Sequence, residues 1–281
     1  MSTVDRKAAV DRNLALELVR VTEAAALAAA QLVGMGDKEA ADQAAVDGMH
    51  AVLHTIHMDG IVVIGEGEKD EAPMLANGEA VGNGSPPEVD IAVDPLEGTR
   101  LAAQGRPNAL AVIALAERGA MFDPGPIVYM EKMAGGDEVA DLLDLDRPIA
   151  ETVELVAERR GTDVRDVMVV VLDRPRHEAG IKAIRAAGAR VRLISDGDVA
   201  GALLSVSPRT PATLLWGIGG TPEGVISAAG IKCMGGAMIG RLWPRDDDER
   251  KAAVACLAAL ALWLTRSDAG ARLRSRASRL R

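Results

Sequence analysis

Aromatic residues are almost missing from this chain: among 281 residues there are one Phe, one Tyr and three Trp. The core must therefore be built mostly from Ala, Val, Leu, Ile and Met. Cysteine is nearly as scarce. Cys233 and Cys256 have no zinc-like spacing and form no disulfide framework, which fits a reducing cytoplasm. An excess of positive charge is also lacking. The formal net charge of −9 argues against broad electrostatic capture of nucleic acid or an anionic membrane. Long apolar runs are absent, since the longest, AAVACLAALALWL at 252–264, falls short of a spanning helix. The N-terminal MSTVDRKAAVDRN is charged, with no signal-peptide-like apolar region. These absences predict a cytosolic globular protein that uses neither nucleic acid nor membrane. Phosphorylated substrates stay within reach of an acidic chain if local cations or metal ions offset their charge.

What is present is ample core material, 48% hydrophobic and 26% charged, enough for one large domain or two closely packed ones. Helical spacing of apolar residues predicts a long helix over 11–33 and a second over roughly 39–57. IVVI, VDIAVD and NALAVIALAE read as strands. From about 150 the texture changes to alternating helix and strand: ETVELVAERRG, DVMVVVLD, RPRHEAGIKAIRAAGA and VRLI. SDGDVAGALLSV and TLLWGIGGTPEGVISAAGIKCMGG continue that theme. The alternation predicts an α/β, layered architecture. A division into 1–148, 149–255 and a divergent basic tail at 256–281 follows from the texture alone. The tail carries six arginines and one acid; it reads as a solvated end, with an anion- or partner-binding role as the alternative.

Four acidic segments stand at predicted strand ends or helix starts: GDKEAAD, GEGEKD, DPLEG and GGTPEG. Taken singly, each carboxylate is an ordinary surface acid. Their Gly and Pro residues, and the two apolar strands that lead directly into GEGEKD and DPLEG, point instead to converging ligands. Several carboxylates at one strand end repel one another unless hard divalent ions such as Mg²⁺ or Mn²⁺ neutralise them. In DPLEGT, Asp94 leaves the strand, Pro95 stops the ladder and Glu97 adds a second carboxylate. Gly98 and Thr99 then open a helix whose free N–H groups suit a phosphate.

GIGGTPEG lacks the lysine and hydroxyl residue of a P-loop, so Gly219 and Gly220 offer backbone to a phosphate or sugar rather than to a nucleotide. His50, His54 and His57 fall on one face of the second predicted helix. HAVLHTIH lacks a zincin's glutamate, and with no Cys or further His nearby the expectation is a partly exposed helix face. Arg174 and Arg176 flank Pro175 beside His177, and their guanidinium forks match a second phosphate; a solvated loop is the alternative.

GDKEAADQAAVD, IVVIGEGEKDEAPML, VDIAVDPLEGTR, NALAVIALAE, DRPRH, SDGDVAGA and GIGGTPEGVISAA, in this order and spacing from about residue 11 to 254, closely resemble the class II, GlpX-type fructose-1,6-bisphosphatases. DPLEGT alone indicates only the wider metal-dependent, lithium-sensitive sugar-phosphatase superfamily, which includes inositol monophosphatases. GEGEKDEAPML and GIGGTPEG narrow it. The resemblance implies a layered α-β-α-β-α sugar-phosphatase fold and hydrolysis of fructose 1,6-bisphosphate to fructose 6-phosphate in gluconeogenesis, with sedoheptulose 1,7-bisphosphate as a further substrate of some relatives. It implies Mn²⁺ or Mg²⁺ as cofactor and assembly into dimers or tetramers.

Carried over by position, the metal ligands are Asp42 and Glu66 for one ion, and Asp94, Glu97 and Glu223 for the other. Substrate contacts fall on Glu97, Gly98, Thr99, Tyr129, Arg174, Pro175, Arg176, Asp196, Gly197, Asp198 and Gly220. The catalytic set is Asp70, Thr99, Glu68 and Lys38: Asp70 and Thr99 orient or deprotonate the attacking water and Lys38 offsets phosphate charge. Past PRDDDERKAA, relatives carry a strand-rich segment with GDNVFF-like and TGIT-like stretches. An alanine-leucine run and the arginine tail stand in their place here. Two competing readings therefore accompany the bisphosphatase: an inositol or other sugar monophosphatase, which the arginine pair disfavours, and a catalytically weak or inactive homologue that binds metal or sugar phosphate.

Overall fold

Buried Ala41, Ala45, Met49 and Leu53 recur every four residues and make one apolar stripe along α2 (Lys38–Leu53). Val21, Ala25 and Ala29 do the same along α1 (Leu14–Ala30), and the two stripes share one core. Asp37 caps α2, its carboxylate accepting the Ala40 N–H at 2.9 Å. The helix ends at Leu53 with His54 as its C-cap, so His57 lies beyond it and shares no helical face with His50 and His54. The computed structural model describes residues 13–66 and 74–251; Glu68, Asp70, Cys256, the apolar run at 252–264 and the basic tail lie outside the described residues.

Two sheets carry the rest. The first runs β2 (Ala80–Gly82), β1 (Asp59–Ile64), β3 (Glu88–Glu97), β4 (Leu110–Glu117), with β1 and β3 parallel and the outer pairs antiparallel. The second runs β7 (Arg190–Ile194), β6 (Met168–Leu172), β8 (Leu214–Gly220), β5 (Tyr129–Gly135), β9 (Ala237–Leu242). Here β6 is parallel to β7 and β8, while β5 is antiparallel to β8 and β9.

Burial fixes the stacking. α1 and α2 cover one face of the first sheet through Met49, Leu53, Ile91 and Val93. On its other face Ile64 and Ala92 meet Val199 of α6 (Asp198–Val206) and Val225 and Ile226 of α7 (Thr221–Cys233). The far sides of the same two helices bring Ala202 and Ile231 against Ala134, Val170 and Leu215 of the second sheet. Its outer face is closed by Val153 and Val156 of α4 (Ile149–Arg160) and Ile181 and Ile184 of α5 (Glu178–Ala186). The order of layers is α-β-α-β-α, as the resemblance to the sugar phosphatases implies. Among the described residues no helix is long and apolar enough to cross a membrane.

Three strands escape the sequence patterns. β2 has three residues among glycines, β5 interrupts its apolar alternation with Glu131 and Lys132, and β9 contains Gly240 and Arg241. The switch from first to second sheet falls between Glu117 and Tyr129.

Two local expectations are corrected. Pro95 does not stop the ladder: β3 continues to Glu97, which pairs with Leu110 across a register shift between Asp94 and Glu97. A bulge tolerates proline because its missing N–H is not needed there. The Asp94 carboxylate accepts the Leu96 N–H at 3.1 Å and stabilises the bend. Likewise, the glycines of GIGGTPEG up to Gly220, weighed above as a glycine loop, belong to strand β8 itself.

Candidate active site between the two sheets

Strand β1 ends at Ile64 with Glu66 just past it, and parallel β3 ends at the Asp94–Glu97 bulge. Toward these ends come the N-terminal half of α2, bringing Asp42, and the first turns of α6, bringing Asp198, and of α7, bringing Glu223. Helix N-termini stabilise negative charge, which places the acids where the backbone helps most. Asp94 shows the convergence best. Loss of solvent around it, then the charges of Glu223, Glu97, Glu66 and Asp42 in that order, push its carboxyl well above the ordinary range. The other four predicted ligands, from four elements of structure, thus all act on Asp94.

Glu97 is nearly inaccessible, at 3% exposure. One oxygen, Oε1, accepts the Val199 N–H at 2.7 Å, while Oε2 is buried with no hydrogen-bond partner. Burial is the main cause that pushes Glu97 up to about 8; Asp198 and Glu223 push the same way, and the Val199 N–H and Lys132 oppose them. Glu223 is raised too, by burial first and against the pull of Lys132. An orphaned buried carboxylate oxygen amid several acids is the donor set that a hard divalent cation satisfies. The residues present fit such an ion.

Beside the acids opens a cleft of about 340 Å³ lined by Tyr129, Arg174, Arg176, Asp196, Gly197, Asp198, Gly220 and Glu223 among others. Arg176 is locked in place: both Nε and one terminal nitrogen donate to the Ile218 carbonyl, at 3.1 and 2.7 Å. Its guanidinium also stands 5.1 Å from the Tyr129 ring centroid. Arg174 donates to the Asp173 and Ser195 carbonyls at 3.0 and 2.7 Å and pairs with Asp196 at 3.4 Å. His177 holds the turn, with Nδ1 2.7 Å from the Leu172 carbonyl and Nε2 accepting the Ile218 N–H at 2.8 Å. That pattern requires the neutral ring, and burial lowers its pKa accordingly. Pro175 starts the short turn Pro175–His177 and does not line the cleft.

Gly98 begins α3 (Thr99–Ala103) at φ 81°, a conformation that suits glycine, but the helix is only five residues long. At Gly219 and Gly220 any Cβ would collide with the Asp198 and Glu223 carboxylates, so only glycine lets β8 pass this close to the acids.

Other expectations shift. Lys38 turns outward and pairs with Glu39 at 2.9 Å, so no described contact takes it to the carboxylates. Asp198 is 5% exposed and gives both oxygens to Lys132, at 3.0 and 2.8 Å, while bordering the cleft. Lys132 itself, 1% exposed and also donating to the Gly220 carbonyl at 2.8 Å, was missed by sequence reasoning. The available signal was its place in VYMEKMAG: Met130, Lys132 and Ala134 share the inward face of β5. His50 and His54 stand on a partly exposed helix face, as expected, and Glu79, which no motif signalled, comes to His50 Nε2 at 2.9 Å.

Stacked α-β-α-β-α layers, with acids gathered between the sheets, are the architecture of a fructose-1,6-bisphosphatase-type phosphatase. The family model for bacterial, glpX-encoded fructose-1,6-bisphosphatase matches residues 12–269, and the chain belongs to that family. It is 49% identical over 238 residues to the class 2 fructose-1,6-bisphosphatase of Haemophilus influenzae, covering 85% of this chain and 71% of that one. To fructose-1,6-bisphosphatase 1 class 2 of Escherichia coli strain K12 it is 48% identical over 236 residues, 84% of this chain and 70% of the relative.

Proposed function

We propose that the chain hydrolyses the 1-phosphate of fructose 1,6-bisphosphate, giving fructose 6-phosphate and inorganic phosphate. The observation that carries this reading is the meeting of five carboxylates with an arginine-lined cleft at one place between the sheets. Asp42 and Glu66 would hold one divalent cation, and Asp94, Glu97 and Glu223 another. Mn²⁺ or Mg²⁺ supplies charge neutralisation at the phosphate and activation of water when bound. Glu97 and the Gly98–Thr99 turn present the 1-phosphate to that side, and the Thr99 hydroxyl orients the attacking water. Arg176, held rigid by the Ile218 carbonyl, and Arg174 take the second phosphate, with Tyr129 and Gly220 against the sugar. Asp196 and Gly197 border the same space, and Asp198 serves through Lys132. Asp70, with its proposed role at the water, and Glu68 stand outside the described residues. Lys38 would reach the phosphate only by breaking its pair with Glu39.

The labour divides by sheet. The first sheet and α2 supply most of the metal carboxylates, and the second supplies the sugar-phosphate cradle, so the functional boundary lies between Glu117 and Tyr129. A cytoplasmic location and a homo-oligomeric state belong to the same proposal and rest on the family alone.

Phosphate release from fructose 1,6-bisphosphate with Mn²⁺, with and without EDTA, tests the reading. Turnover that EDTA abolishes, and that falls sharply with inositol phosphates or fructose 6-phosphate, is the expected result. Folded protein that releases no phosphate, or prefers a monophosphate, overturns it.

A further inference from the structure

Three ligand atoms from two elements meet away from the carboxylate cluster. His50 Nε2 lies 2.9 Å from Glu79 Oε1 and 3.0 Å from His54 Nε2, and His54 Nε2 is 3.7 Å from the same Glu79 oxygen. The histidines stand one turn apart at the end of α2, and Glu79 immediately precedes the edge strand β2. About 12 Å of helix rise separates Asp42 from His50.

Hydrogen bonding alone does not account for this meeting. An imidazole nitrogen has a single in-plane position, filled by either a proton or a lone pair. If His50 Nε2 donates to Glu79, it has nothing left for His54; if it accepts from His54, it turns a lone pair toward a carboxylate. A cation at the centre resolves the conflict by taking a lone pair from each group. The dimensions agree. Two ligands bound at about 2.0–2.1 Å in a tetrahedral shell stand about 3.3 Å apart, close to the mean of the three observed separations. The other oxygen of Glu79 accepts the Ala76 N–H at 3.1 Å, which holds the carboxylate in orientation, as supporting bonds do at metal sites. The C-terminal end of a helix, where both histidines stand, also favours positive charge.

We propose that His50, His54 and Glu79 form a second metal site, distinct from the carboxylate cluster, for a transition ion of the Zn²⁺ class. Two imidazoles and one carboxylate select such an ion over Mg²⁺, which prefers oxygen alone. The side chain of His54 is 39% exposed, so a fourth position faces solvent. Binding pins the end of α2 to segment 74–79. The opposite end of α2 carries Asp42, and segment 74–79 is joined to β1 and Glu66 by backbone bonds from Gly78 to Val62 and from Glu66 to Leu75. Occupancy is thus a clamp on two elements that supply the carboxylate cluster.

The test is equilibrium dialysis of the purified protein against Zn²⁺, and separately Co²⁺, with Mg²⁺ in large excess to fill the carboxylate cluster. The wild-type protein should retain one equivalent, and its Co²⁺ form should show the intense visible bands of a four-coordinate site. His54→Ala, an exposed position that leaves the fold intact, and Glu79→Gln should each lose that equivalent, and Zn²⁺ should raise the melting temperature of the wild type only. Unchanged Zn²⁺ stoichiometry in both folded variants overturns the proposal. So does a weak, six-coordinate Co²⁺ spectrum that Mg²⁺ erases.

Discussion

The carboxylate cluster and the arginine-lined cleft share Glu223 as a wall, yet they are held by opposite physics. The acids destabilise one another: burial and mutual repulsion raise Asp94, Glu97 and Glu223 together. The arginines are at ease, their nitrogens tied to the carbonyls of Asp173, Ser195 and Ile218 before any ligand arrives. One half is a group of buried acids whose charges a cation would neutralise, and the other is a seat held by hydrogen bonds. Metal affinity and substrate affinity should therefore respond to mutation independently.

The largest effect is expected at the centre of the acids. Asp94→Asn should lower kcat for fructose 1,6-bisphosphate by far more than the ~100-fold typical of lost supporting bonds around a metal ligand. The same change should raise the melting temperature of the EDTA-treated protein, because it removes a repelled charge; a lowered one would break the contrast. Next comes the tie between the halves. Lys132→Met should cost about 3–5 kcal/mol in urea unfolding by stranding Asp198 in the interior. On the cleft side, Arg176→Ala should raise KM about 10–100-fold, consistent with loss of a charge-assisted hydrogen bond, while metal affinity measured by titration stays put. A matching loss of Mn²⁺ binding would merge the two regions into one.

The smallest effect concerns pH. In the metal-free protein Glu97 is raised from 4.5 to about 8, so its folded form holds the proton more tightly than the unfolded chain does. That contribution is complete below about pH 4.5 and is lost as pH rises through about 8. Melting temperatures with EDTA should decline from about pH 5 to about pH 9, less so in Glu97→Gln, and Mn²⁺ should flatten the decline.

Most of the layering was legible because α1 and α2 each bury one periodic face while β3 and β6 are short continuous apolar runs buried on both faces, and both patterns are local properties of sequence. β5 was not, since Glu131 and Lys132 disguise a strand whose lysine is stabilised by Asp198, 66 residues away, and by the Gly220 carbonyl, 88 residues away. The ladder across Pro95 was hidden for a related reason: whether a proline breaks a strand depends on the partner's register, here the shift before Leu110. Glu79 joining two histidines is likewise a product of folding, 29 residues from His50 and silent in any motif. The acids of DPLEG and GGTPEG were readable because glycine and proline mark tight backbone wherever they occur.

The hydrogen bond from the Val199 N–H to Glu97 spans 102 residues and joins the end of a first-sheet strand to the helix sandwiched between the sheets. Glu97 is therefore a fastener as well as a ligand candidate. Whatever draws on its free oxygen also tugs the seam along which the two halves meet. Filling the acid cluster should then stiffen the molecule across its waist, and a worn fastener, such as Glu97→Gln, should let the layers breathe. Slowed amide exchange at Val199 on adding Mn²⁺ would be the mark of that tightening.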